Sequence, residues 1–200
     1  QLAQLFRQSF FETGDGTASN AVLYFRTLLH VSYAVDWHLG NGNPAVFHAA
    51  NLILAMLATG LVADCLMRWT QTTYWALLGT LVFAWHPSKA ESVAWISGRT
   101  DLLATVFILL ACKARSNWKL GSRLWPAIEL VAAIGAYASK ETAILLPLFI
   151  TVECWAGSNR PALDAKRFSA LLRSSRWHIV GACLYLALRS RLFPIVSLGH

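Results

Sequence analysis

The chain has 200 residues, 56% of them hydrophobic and 14% charged, with nine Trp, four Cys and a mean hydropathy of +0.47. Charged residues are about half as frequent as the usual quarter, which excludes a disordered chain; four Cys exclude a disulfide scaffold. A soluble globule this apolar would lack the polar surface to cover itself, and the net charge of +7 does not point to nucleic acid, since the basic residues lie between apolar segments and not in aromatic-rich patches.

From Gln1 no basic start and small-residue cleavage site can be read, so a signal peptide is not predicted, and the chain is expected to be a piece of something longer. Residues 1–43 read as an arm. Within it, residues 21–39 have helical periodicity, with Arg26, His30, Tyr33 and Trp37 on one stripe and Tyr24, Leu28, Val31 and Val35 on another. Turn-rich Gly segments at 14–16 and 40–44 bound an element suited to lie on a membrane surface.

Residues 44–200 carry six apolar segments, at 44–66, 73–85, 101–112, 124–138, 142–156 and 177–188. A single run of 10–14 residues reads equally well as a buried soluble helix, since a span needs ~20. Six in succession, at this composition, predict an all-α polytopic bundle of about six transmembrane helices. Trp69, Tyr74, Trp118, Trp125, Trp155 and Trp177 flank the segments as an interfacial belt would.

Charge orients the bundle. The linkers at 67–73, 113–123 and 157–176 hold ten Lys/Arg in 38 residues, with Asp164 the only acid. The opposite linkers and the arm hold seven in 72 residues, beside five acids. The denser side is predicted to be cytoplasmic. The candidate chemistry then gathers on the non-cytoplasmic side.

There, His86-Pro87-Ser-Lys-Ala-Glu91 reads either as a His and a carboxylate facing a cavity or as a helix stop with a solvated acid. Arg99 follows a Gly and suits phosphate, through paired donors, or a structural pair with Asp101 or Glu91. Lys140 and Glu141 sit in a tight turn, where they cap facing helices or hold an anionic head group. His48 and Asn51, three residues apart, share a helix face and line a pocket or bond to the arm. His86, Glu91 and Asp101 offer oxygen and nitrogen ligands, but no HExxH, CxxC or DxD spacing appears, so no metal site is assigned and a divalent ion is left open. Glu129 and Glu153 lie within spans without an assigned role, and the cysteines read as buried free thiols.

Phe47-His-Ala-Ala-Asn51, Phe83-Ala-Trp-His-Pro87, Glu91-Ser-Val-Ala-Trp, Gly98-Arg-Thr-Asp-Leu-Leu103 and Ser139-Lys-Glu-Thr142 stand in an order and spacing that resembles one family. The arm segments Leu5-Phe-Arg-Gln-Ser-Phe-Phe11, Phe25-Arg-Thr-Leu28 and Ser32-Tyr-Ala-Val-Asp36 are similar too, although Thr27 stands where Pro is usual. The set, over roughly residues 5–155, resembles the transmembrane and tetratricopeptide-repeat O-mannosyltransferases and their bacterial relatives in the GT-C superfamily.

The resemblance implies a multi-span inverting transferase that takes a sugar, mannose or similar, from a dolichyl- or polyprenyl-phosphate donor. Its partners would be the bilayer, that lipid-linked sugar and an acceptor protein or glycan, with no nucleic acid. It would lie in a bacterial inner membrane, or in the endoplasmic reticulum of a eukaryote. Arg99 and Lys140 are the expected ligands of the donor phosphate. Arg26, His48, Asn51, His86, Glu91, Asp101 and Glu141 are expected to shape the cavity. The catalytic acid, often in an Asp-Asp pair that acts as general base, is expected upstream of Gln1, which would leave this chain alone inactive. Glu12 and Asp15 are acids in the corresponding loop but do not match that motif. The alternative is a transporter or flippase of a lipid-linked or anionic substrate, disfavoured by the absence of inverted-repeat symmetry.

Overall fold

A computed structural model describes residues 26–156 and 165–192. Glu12, Asp15 and the arm before Arg26 lie outside them. Among the described residues all regular structure is helical, as the composition and periodicity predict. In chain order the α-helices are α1 (Thr27–Gly40), α2 (Pro44–Thr70), α3 (Thr73–Trp85), α4 (Pro87–Ala94), α5 (Arg99–Ser116), α6 (Leu124–Ser139), α7 (Leu146–Ala156) and α8 (Ala165–Leu192). Short 3-10 turns at Ile96–Gly98, Asn117–Leu120 and Glu141–Leu145 link α4 to α5 and flank α6.

The breaks have local causes. Pro44 and Pro87 open α2 and α4 at the first helical position, where a missing N–H costs nothing. Asn43 caps α2, its side chain accepting from the Ala45 N–H at 3.0 Å. Asn41 and Gln71 adopt left-handed conformations that end α1 and α2. Pro147, second in α7, has no N–H, so the apolar segment predicted from residue 142 forms a 3-10 turn and then a shorter helix.

Each of the six apolar segments is helical. Among the described residues α2 alone is long and apolar enough by itself to cross a bilayer; α4 and Ile96–Ser116 qualify together but bend by 114°, and α3 and α6 are shorter apolar helices. The outer faces are apolar: Leu52, Ile53 and Met56 of α2, Leu77, Leu81 and Trp85 of α3, and Leu130, Val131 and Ile134 of α6 are all more than half exposed.

The core is correspondingly thin and made of small residues. Ile108, Ala111 and Cys112 of α5 pack on Ala132, Ala133 and Ala136 of α6, closed by Ala143, Leu146 and Ile150. Small side chains let the helix backbones approach closely. Gly135 marks the tightest point, because a Cβ there would lie 2.6 Å from Cδ1 of Phe107.

The linkers collect at two ends. At one, Arg68 binds Asp64 and, at 2.9 Å, Glu153; Lys113 lies 3.6 Å from Asp64, and the Trp69 indole donates to Glu153 at 2.8 Å. Nearby, Glu129 joins α5 to α8 by accepting Arg115 at 2.6 Å and His178 at 2.5 Å. Both buried acids of the apolar segments thus have structural partners. All four cysteines are free, two of them buried; Cys154 is half-buried and Cys183 exposed. Gly135→Leu should force Phe107 out of the α5–α6 seam and cost about 1–3 kcal/mol, read as a lowered midpoint of thermal unfolding followed by circular dichroism.

Candidate functional site

At the other end, the α4–α5 junction is built around Arg99. This residue begins α5 and is 1% exposed. Its Nη2 pairs with Asp36 of α1 at 2.5 Å and donates to the Phe47 carbonyl at 2.9 Å. Nε donates to Asn51 Oδ1 at 2.7 Å and Nη1 to Ser32 Oγ at 3.3 Å. The guanidinium also lies 4.9 Å from the centroid of the Tyr33 ring, at cation–π range. Asn51 extends the network, its amide donating to the Trp95 carbonyl at 3.0 Å, and the Tyr33 hydroxyl donates to the Ile96 carbonyl at 2.7 Å.

This corrects several expectations. Arg99 pairs with neither Asp101 nor Glu91 and is not presented to a phosphate; α1 supplies its counter-ion. Asn51 is buried beneath the site, held by Arg99 and the Trp95 carbonyl, while His48 is exposed. Residues three apart lie about 60° apart around the helix, and the buried seam of α2, which runs through Asn51, Ala58 and Cys65, is narrow enough to leave His48 outside it. Nor does either predicted stripe of α1 form the buried line, which runs through Leu29 and Asp36.

Above the network is a cavity of about 520 Å³ lined by Arg26, Lys89, Glu91, Ser97, Asp101 and Lys140, among others. Four of the predicted residues, Arg26, Glu91, Asp101 and Lys140, therefore meet there. Lys140 Nζ lies 2.5 Å from Asp101 Oδ1. Arg26 is 3.7 Å from Glu141, which also lies 3.8 Å from Arg189. Glu91 is exposed on α4. Gly98 permits the tight junction, because a Cβ would lie 2.6 Å from the Ser92 carbonyl oxygen.

Lys89 is the residue that sequence reasoning passed over. It makes no ion pair among the described residues, its Nζ sits 4.3 Å from the centroid of the Phe83 ring, and burial pushes its pKa down against a smaller opposing effect of Asp101. The signal was its place between His86 and Glu91. Lys89 also lines a second cavity of about 590 Å³, an apolar groove walled by Leu52, Met56, Phe83, Trp85, Val93 and Leu102. His86 lies in that groove, its Nδ1 2.8 Å from Ser88 Oγ and accepting the Ser88 N–H, so it caps α4. The described residues hold no cluster of metal-ligating side chains.

Neither a family model nor a solved structure matches the chain. Curated proteins do. Protein O-mannosyl-transferase TMTC2 of Homo sapiens is 32% identical over 121 residues, covering 54% of this chain and 14% of that protein. Protein O-mannosyl-transferase Tmtc1 of Drosophila melanogaster is 32% identical over 145 residues, covering 72% and 17%, and human TMTC1 is 36% identical over 109, covering 54% and 12%. The chain is a homologue of the transmembrane and tetratricopeptide-repeat O-mannosyltransferases. The matches span about one-seventh of the length of these relatives.

Within this O-mannosyltransferase homologue, the buried Arg99–Asp36 pair makes a prediction. Removing one partner leaves an uncompensated buried charge, so Arg99→Ala or Asp36→Ala should each destabilise the fold by about 3–5 kcal/mol. The double variant Asp36→Leu/Arg99→Met should recover part of that loss. Chemical denaturation of the three variants measures it.

Proposed function

We propose that the chain is part of an integral-membrane glycosyltransferase that moves a sugar from a polyprenyl- or dolichyl-phosphate donor to an acceptor hydroxyl on the non-cytoplasmic side. The names of the relatives favour mannose and a protein acceptor. The exposed apolar faces of α2, α3 and α6 support a bilayer environment, in which the six apolar helices form the bundle. The split of basic linkers between two ends supports the orientation.

The observation that carries this reading is the position of Lys89. Its ammonium is under-compensated and stands where an apolar groove meets a polar cavity. An amphiphile with one phosphate between a hydrocarbon tail and a sugar matches that arrangement. The tail lies along Leu52, Met56 and Phe83, the phosphate meets Lys89, and the sugar occupies the space beside Glu91 and Asp101. Lys140 and Arg26, each already facing a carboxylate, add positive potential as charge develops on the departing phosphate. Arg99 acts one layer below, holding the α4–α5 junction that aims Lys89.

The test is binding of polyprenyl phosphate to the purified protein. A charge-assisted bond contributes about 1.5–3 kcal/mol, so Lys89→Met should weaken binding by roughly ten- to hundredfold, and Lys89→Arg should retain most of it. Equal affinity of Lys89→Met and wild type would overturn the assignment.

A further inference from the structure

A third cavity, of about 390 Å³, opens at the opposite end of the bundle, lined by Arg115, Trp118, Arg173, Ser174, Arg176 and Trp177, with Ala170. We propose that it binds the phosphate-bearing headgroup of an anionic phospholipid. This rests on the membrane embedding argued above and is independent of sugar transfer.

Three guanidinium groups line this space and no carboxylate does so among the described residues. Arg115 is partly balanced by Glu129 on its inner side, yet its Nε is buried without a hydrogen-bond partner. Its guanidinium stacks 4.2 Å from the Trp118 ring centroid, which holds the cation in place. Arg173 and Arg176 are exposed, and neither makes an ion pair with a described residue; Arg176 lies 5.1 Å from the Trp177 ring centroid. Arg173 and Arg176 thus stand beside a third guanidinium without a counter-ion of their own among the described residues, and an anion from outside relieves the repulsion. Planar guanidinium forks suit phosphate oxygens in particular.

A lipid fits better than a free anion because of what adjoins the cavity. Helix α8 changes character along its length: Lys166, Arg173 and Arg176 precede a turn-by-turn run of exposed Ile179, Val180 and Leu184, with Trp177 at the transition. Trp at a polar–apolar boundary sits at headgroup depth. A phosphate held by the arginines would have its acyl chains beside that apolar face. The ends of the bundle also agree, since this cavity lies among the basic linkers predicted to face the cytoplasm, where anionic lipid attracts Lys and Arg.

The test is native mass spectrometry of the full chain in detergent, titrated with phosphatidylglycerol or phosphatidylcholine. Wild type should bind phosphatidylglycerol in preference. Arg173→Gln/Arg176→Gln alters exposed side chains and should lower that affinity by about thirtyfold, at about 1 kcal/mol for each basic residue, with phosphatidylcholine binding unchanged. Equal affinity of wild type and the double variant for phosphatidylglycerol would overturn the site. So would displacement of the lipid by inorganic phosphate, which would make the ligand a free anion. Flotation of wild type with phosphatidylcholine vesicles reads the embedding separately. Failure to float overturns embedding and site together; flotation without a preference for phosphatidylglycerol overturns the site alone.

Discussion

A guanidinium that is 1% exposed is costly to bury without a counter-charge, and one end of this molecule is organised by how Arg99 obtains it. Asp36 supplies the charge, and Asn51, Ser32 and the Phe47 carbonyl accept its remaining donors. Those partners come from α1 and α2, so one side chain pins both to the start of α5. The pinning bends the chain sharply between α4 and α5, and that bend is what places Lys89 and Glu91 over Asp101. Buried polar networks of this kind are worth more as geometry than as stability.

The two ends of the bundle follow different electrostatic rules. At the Arg99 end, cations and acids are nearly matched, and the cavity retains one lysine without an ion pair among the described residues. At the other end, Glu129 and Glu153 draw Arg115, His178, Arg68 and Trp69 inward, while Arg173 and Arg176 remain outside that pairing. Between the ends the helices touch largely through Ala, Gly and Cys, closed by Ile108, Leu146 and Ile150. A core so thin is reasonable only if the exposed Leu, Ile and Trp side chains meet an apolar surrounding. Such a surrounding also suits the groove beside Lys89, whose α2 and α3 walls are apolar apart from Thr59.

Much of the site was legible residue by residue. Of the residues that the family resemblance assigns to the donor phosphate and the cavity, Arg26, Glu91, Asp101 and Lys140 line one cavity in the structure. Asp36 was not recognised as the partner of Arg99, because 63 residues of chain separate them and the nearer acids, Asp101 and Glu91, satisfied the same electrostatic argument. Lys89 was passed over because a lysine after a helix-stopping proline reads as solvated. Its groove exists only once α2, α3 and α4 are packed together.

The sequence by itself determined the helical character, the proline-marked helix starts at Pro44 and Pro87, and the sorting of charge between the linkers, but not the start of α8, which begins at Ala165 inside the expected linker 157–176. These follow from local chemistry: proline lacks an N–H, apolar runs of this length favour helix, and basic residues collect on alternate linkers. Only the tertiary structure decided which charge neutralises which. That choice depends on distance and burial, and Coulomb energy in a low-dielectric interior falls to whichever partner packing brings within reach. It gave Arg99 to Asp36, Lys140 to Asp101 and Arg26 to Glu141, and so left Lys89 at the mouth of the groove.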